Sequence, residues 1–174
     1  MLGFILAQVF GAIALILVCI GYFVKQKTTF MFIQVVANIF YAGAFLVVGA
    51  FVGAGLVTIS IFRCIYLFIA EKKQFKYTVH FLPIFIALYI TTTILLWKSP
   101  LDLMPLTTST LFTLAYAVKN MQIMRYILLV PNSMLVVYNI LTTTYTSALL
   151  DFIEVIVIII ALIKFHNESK KRQV

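Results

Sequence analysis

The stretch ISIFRCIYLF, Ile59 to Phe68, sets Arg63 among isoleucines, phenylalanines and a leucine. A guanidinium stays charged at any physiological pH. No water-loving neighbour lies close in sequence to accompany it. The run is too apolar for a surface helix, and the rest of the chain is similar. Of 174 residues, 64% are hydrophobic and only 10% are charged, with a mean hydropathy of +1.13. A soluble domain is nearer half apolar and a quarter charged. The composition therefore excludes an ordinary soluble domain and predicts a polytopic membrane protein.

A membrane span needs about 20 apolar residues to cross roughly 30 Å of hydrocarbon. Seven stretches qualify, at about 3–23, 29–49, 52–70, 79–97, 102–118, 122–141 and 145–164. They are too long and too evenly apolar for barrel strands, which alternate over about ten residues. The expected fold is all-α, a bundle of seven transmembrane helices. The first stretch lacks both the basic start and the A-x-A-like site of a cleaved leader, so it is read as a retained helix.

The net charge of +8 would suggest nucleic acid in a soluble protein. Its distribution argues instead for orientation in a bilayer. With seven spans, one side holds Lys25, Lys27, Lys72, Lys73, Lys76, Lys119, Arg125, Lys164, Lys170, Lys171 and Arg172, and the other holds Lys98. Cytoplasmic loops carry the excess of Lys and Arg. The N-terminus is expected outside and the C-terminus in the cytoplasm. Recognition of anionic lipid is the functional alternative for the basic face.

Sliding the chain along itself by 94 residues lays Tyr22–Lys27 (YFVKQK) on Tyr116–Met121 (YAVKNM), and Asn38 on Asn132. Two three-span repeats result, about 3–72 and about 102–166, joined by a fourth span at about 79–97. A short basic tail follows at 167–174. The charge pattern has both repeats start outside, so the extra span must return the chain. This 3+1+3 layout makes the repeats parallel, related by an axis along the membrane normal. Every glycine lies within the first 55 residues, and the prolines, Pro83, Pro100, Pro105 and Pro131, all follow; Pro131 falls mid-span beside Asn132.

Ionisable groups at membrane depth are costly and face a bundle interior or a water-filled cavity. Arg63 in the third span, and Asp151 and Glu154 in the seventh, are the three cases. Asp151 and Glu154 are three apart and share a helix face. By the 94-residue offset Glu154 is level with Ser60, about 4.5 Å along the axis from Arg63. An Arg63–Glu154 pair is expected, with Asp151 the second candidate partner. Polar stripes join these charges: Gln34, Asn38 and Tyr41; Asn132 and Asn139; Asp102, Ser109, Thr113 and Tyr116. Each side chain can serve as hydrogen-bonded glue between helices, while the set can line a polar cavity. The candidate pathway residues are Asn38, Ser60, Arg63, Asn132, Asn139, Asp151 and Glu154.

No G-x-x-x-x-G-K-[ST], H-E-x-x-H or G-x-S-x-G motif is present, so neither ATP-driven pumping nor hydrolysis is indicated. His80 and His166 fall near helix ends, and Cys19 and Cys64 sit singly inside spans. Packing or interfacial roles suit them better than metal binding. No cofactor, no nucleic acid and no enzymatic activity are expected. The partners implied are the bilayer and a small polar solute, with oligomerisation open.

LAQVFGAIALI near the start, ISIFRCIYLFI, DLMPLTTSTL and VVYNI…TSALLDFIEVI together resemble the YgjV family of bacterial inner-membrane proteins, across nearly the whole chain. The resemblance implies a bacterial cell membrane but no substrate. The layout is also similar to the SWEET/PQ-loop class and to vitamin transporters of the nicotinamide-riboside type. SWEET proteins carry gate prolines in helices 1, 2, 5 and 6; here Pro105 and Pro131 match in helices 5 and 6, but Gly11 and Ala37 stand in the other two places. Where that class presents a substrate-facing Asn in helices 3 and 7, this chain has Ser60 and Glu154, so sugar transport does not carry over. Two functions are expected in rank order. The first is a facilitator or ion-coupled transporter working by alternating access. The second is a sensor, receptor or partner subunit in which the buried charges form a structural clasp.

Overall fold

Long apolar runs can satisfy their backbone N–H and C=O groups in oil only by bonding within themselves, and this makes helices. The computed structural model describes residues 2–49, 51–73, 81–95, 97 and 99–171. Seven α-helices follow in order: α1 (Leu2–Tyr22), α2 (Lys27–Val48), α3 (Phe51–Lys72), α4 (Leu82–Leu95), α5 (Leu103–Ala117), α6 (Met121–Leu141) and α7 (Tyr145–Lys171). A 3-10 turn at Pro100–Asp102 leads into α5. No strand occurs among the described residues. Lys76, His80, Lys98 and Arg172, which entered the charge and histidine readings above, lie outside the described residues.

Among the described residues, four helices, α1, α2, α3 and α6, are long and apolar enough to cross a membrane. Apolar side chains such as Ile16, Phe62, Ile94, Leu95, Phe152 and Ile163 stand about half exposed or more. Water would penalise so continuous an apolar surface, and lipid would not. Helix α4 is shorter than the expected span, at 14 residues or about 21 Å. Helix α7 is longer than expected. It continues past residue 164 to Lys171, so most of the expected tail is helical.

The chain forms two compact units, Met1–Ser99 and Pro100–Val174. In the first, α2 packs against both α1 and α3, and α4 packs on α3. Gly43 lets α2 approach α1: a Cβ there would come within 3.1 Å of the Phe10 ring. In the second unit, α6 packs against α5 and α7. Buried alanines, Ala14, Ala37, Ala115 and Ala161 among them, permit close approach without side-chain interlocking.

The same local features recur 94 residues apart in the two units. Helices α2 and α6 begin six residues on from equivalent carbonyl bonds, Val24 N–H to Gly21 O and Val118 N–H to Ala115 O, both 3.1 Å. Each closes its first turn alike, by Phe30 N–H to Gln26 O and Met124 N–H to Asn120 O. Each ends alike, by Gly49 N–H to Leu46 O and Thr143 N–H to Ile140 O, both 3.1 Å. Gly49 and Thr143 share the left-handed conformation, with φ of 78° and 58°. Tyr22 and Tyr116 are both buried, as are Ala54 and Ala148.

Two charges counted above as loop residues are placed elsewhere. Arg125 lies in the second turn of α6 and is only 2% exposed. Its guanidinium stacks 4.3 Å from the centroid of the Phe165 ring in α7 and donates to Gln122 Oε1. Lys27 opens α2, is buried, and pairs with Glu71 of α3 at 3.1 Å. Neither side chain is free to act as a plain loop charge, because each is used to join two helices.

Candidate functional site

In the first unit the candidate residues gather where α2, α3 and α4 meet. Ser60 and Arg63 are three apart on α3 and therefore share a face. Ser60 Oγ lies 2.8 Å from Tyr89 Oη of α4 and donates to Leu56 O at 3.1 Å. Arg63 is buried at 4% exposure, its guanidinium carbon 5.8 Å from the Tyr89 ring centroid. Cys64, fully buried, approaches Asn38 Nδ2 at 4.0 Å. Asn38 spends the same nitrogen on the carbonyl of Gln34, one turn back, at 2.6 Å. Gln34 is itself buried, and its Nε2 has no hydrogen-bond partner among the described residues.

Tyr89 was not singled out in the sequence, where α4 reads only as a returning span. The signal was its position: Leu82, Tyr89 and Thr93 are seven and four apart and form the buried face of α4. A tyrosine on such a face needs a hydroxyl partner, and Ser60 supplies it.

In the second unit, Asn132 repeats the bond of Asn38. Its Nδ2 donates to Leu128 O at 2.7 Å, also one turn back. Helix α6 stays continuous through Pro131. The two asparagines brought into register by the sequence offset thus both bond to their own helices, and Asn38 also reaches Cys64 of α3. Asn132 Oδ1 is buried with no hydrogen-bond partner among the described residues, leaving an acceptor at mid-helix. On α5 the threonines behave similarly: Thr113 donates to Ser109 O and Thr110 to Leu106 O.

A second polar group forms at the α6–α7 turn. Asn139 Nδ2 donates to Asp151 Oδ2 at 2.6 Å. Thr144 closes the turn by donating its hydroxyl to Asn139 Oδ1 at 2.8 Å and its N–H to Asn139 O at 2.8 Å. Asn139 therefore reads Asp151 through one end of its amide and the turn through the other. Glu154, one turn further along α7, is buried at 8% exposure. Asp102 precedes α5 in the N-cap position without a side-chain capping bond. The structure thus sets Ser60 and Arg63 each against Tyr89, and bonds Asn139 to Asp151, each within its own unit.

A groove of about 550 Å³ lies between α5 and α6, lined by Met104, Leu129, Val130, Ser133, Met134 and Val137. With Ser133 as its only polar side chain, it lacks the convergent polar groups that fix a small solute. None of the candidate pathway residues lines it.

A family model, Imp-YgjV, described as a bacterial inner membrane protein, matches residues 5–169. The chain belongs to the YgjV family. That membership and the long apolar helices make it an integral protein of the bacterial inner membrane. No curated protein and no solved structure matches the chain. The expected likeness to the SWEET/PQ-loop class is not confirmed by these comparisons. For a YgjV-family protein the buried polar side chains described above are then the main guide to function.

Proposed function

We propose that this protein is a multi-pass facilitator or ion-coupled transporter of a small polar solute, without enzymatic activity. Its N-terminus lies outside and its C-terminus in the cytoplasm, following the one-sided basic charge. The three-helix sets α1–α3 and α5–α7 act as parallel repeats that rock about a shared pathway, with α4 as the linker. The recurrence of turns, caps and buried residues at the 94-residue offset supports the repeat.

The observation that carries the transport reading is the burial of Arg63 and Glu154 within the apolar stretches of α3 and α7. A membrane protein keeps such groups at depth where they line an ion or substrate path. Their places in the two repeats differ by three residues, about 4.5 Å of helix rise, so we assign them as an exchangeable pair. Ser60, Asn38, Asn132, Asn139 and Asp151 complete the pathway.

A second reading, a sensor or partner subunit with a structural clasp, draws support from the bonds of Asn38, Asn132 and Thr113 to their own helices. Thiol access separates the two. In a background lacking Cys19 and Cys64, Ser60→Cys in sealed vesicles should react with an impermeant thiol reagent from either face. Lack of reaction from both faces would favour the clasp and count against alternating access.

A further inference from the structure

Helix α4 does more than return the chain. We propose that Tyr89 latches α4 over Ser60 and Arg63, so that α4 is a lid on this part of the pathway. The latch stands on contacts within the first unit; that its release lets a solute pass rests on the transport reading.

Three observations carry the proposal. The first is the contact itself. Tyr89 Oη lies 2.8 Å from Ser60 Oγ, and Ser60 donates to Leu56 O at 3.1 Å. The Ser60 oxygen therefore accepts the Tyr89 proton. The second is cover. Tyr89 is fully buried, and Arg63, its guanidinium carbon 5.8 Å from the Tyr89 ring centroid, is 4% exposed. One side chain of α4 thus closes over two candidate pathway residues, and its ring suits a cation. Arg63 keeps partners of its own besides the ring. The third is the way α4 is held. Toward its start, Tyr66 of α3 packs on Phe81 and Phe85, with centroids 4.8 Å and 6.0 Å apart. Past Tyr89, Ile90, Ile94 and Leu95 are exposed, and Thr93 is the one buried residue among those described. The aromatic cluster forms a hinge, and the hydroxyl pair forms a latch one turn beyond Phe85.

The chemistry of the bond suits a latch. A neutral hydrogen bond contributes little net stability, yet leaving its buried donor and acceptor unpaired is costly. Inside a bilayer the pair therefore parts only where another polar group takes both hydroxyls. Because Ser60 gives its own proton to Leu56 O, whatever replaces Tyr89 on its oxygen must be a donor. Opening is thereby tied to the arrival of water or of a solute that bears O–H or N–H groups.

The test uses the full chain in lipid nanodiscs, in a background lacking Cys19 and Cys64. Spin labels on Phe62→Cys and Leu95→Cys, at exposed sites of α3 and α4, report the distance between the helices by double electron–electron resonance. With Ser60 and Tyr89 in place, the labels should give a short distance and a minor longer one. Tyr89→Phe and Ser60→Ala should each raise the longer population about fivefold, the value of one neutral hydrogen bond. The double variant should rise no further than either single one, because both remove the same bond. A merely structural tyrosine would lower the melting temperature on Tyr89→Phe and leave the distances unchanged. The proposal is overturned if both variants keep the unsubstituted distances, or if their effects add. If Tyr89→Phe fails to fold, Ser60→Ala alone decides. Lid opening without solute flux would keep the latch and remove transport. Flux through a protein whose α4 stays on α3 would remove the latch and keep transport.

Discussion

Thr143 holds a conformation that its side chain resists. Its φ is 58°, and a β-branched residue pays for the left-handed region through contact of its branched Cβ with the backbone. The corresponding residue of the first unit is Gly49, which has no Cβ and no such penalty. What holds Thr143 in place is the surrounding network: Thr144 bonds Asn139 twice, and Asn139 bonds Asp151. Thr143→Gly should therefore raise stability by about 1 kcal/mol, measured by unfolding in mixed micelles, and leave binding unchanged. Residues of this kind set the limit of sequence reading. Asn38, Asn132, Asn139, Arg63 and Glu154 stood out because polar groups are rare in oil. Their bonding did not, because an asparagine in a helix can reach its own carbonyl one turn back or a neighbouring helix, and only packing decides. Tyr89 gained significance only when its surroundings were known.

Helix identity and order were legible, since a run of about 20 apolar residues has little other stable form in a membrane. The starts of α2, α3, α6 and α7 fall within two residues of the expected ones. The misplaced charges, Lys27 and Arg125, lie near helix starts, where a basic residue can belong to the loop or to a helix joint. Each unit joins its second and third helices at the same end with a cation. The first pairs Lys27 with Glu71. The second lays Arg125 over Phe165, the residue that the offset equates with Glu71. The two joints use different chemistry at one place, so no shared motif marked them. Glu71→Gln should leave the buried Lys27 cation without its acid and cost about 1–2 kcal/mol, discounted because Glu71 is partly exposed. Adding Lys27→Met should recover most of that loss, as read from a double-mutant cycle of unfolding midpoints.

For the whole molecule, the apolar exterior and the family fix the location as the bacterial inner membrane. The internal charges give the reason to propose transport. An inert membrane scaffold could replace Arg63 and Glu154 with leucine and avoid their desolvation cost. Solute flux into sealed proteoliposomes tests this most directly. The account predicts that wild-type vesicles take up at least one small polar solute faster than empty vesicles. Arg63→Ala and Glu154→Gln should each lose most of that uptake while remaining folded. Uptake of no solute above the empty-vesicle rate, or wild-type uptake by both variants, would contradict it.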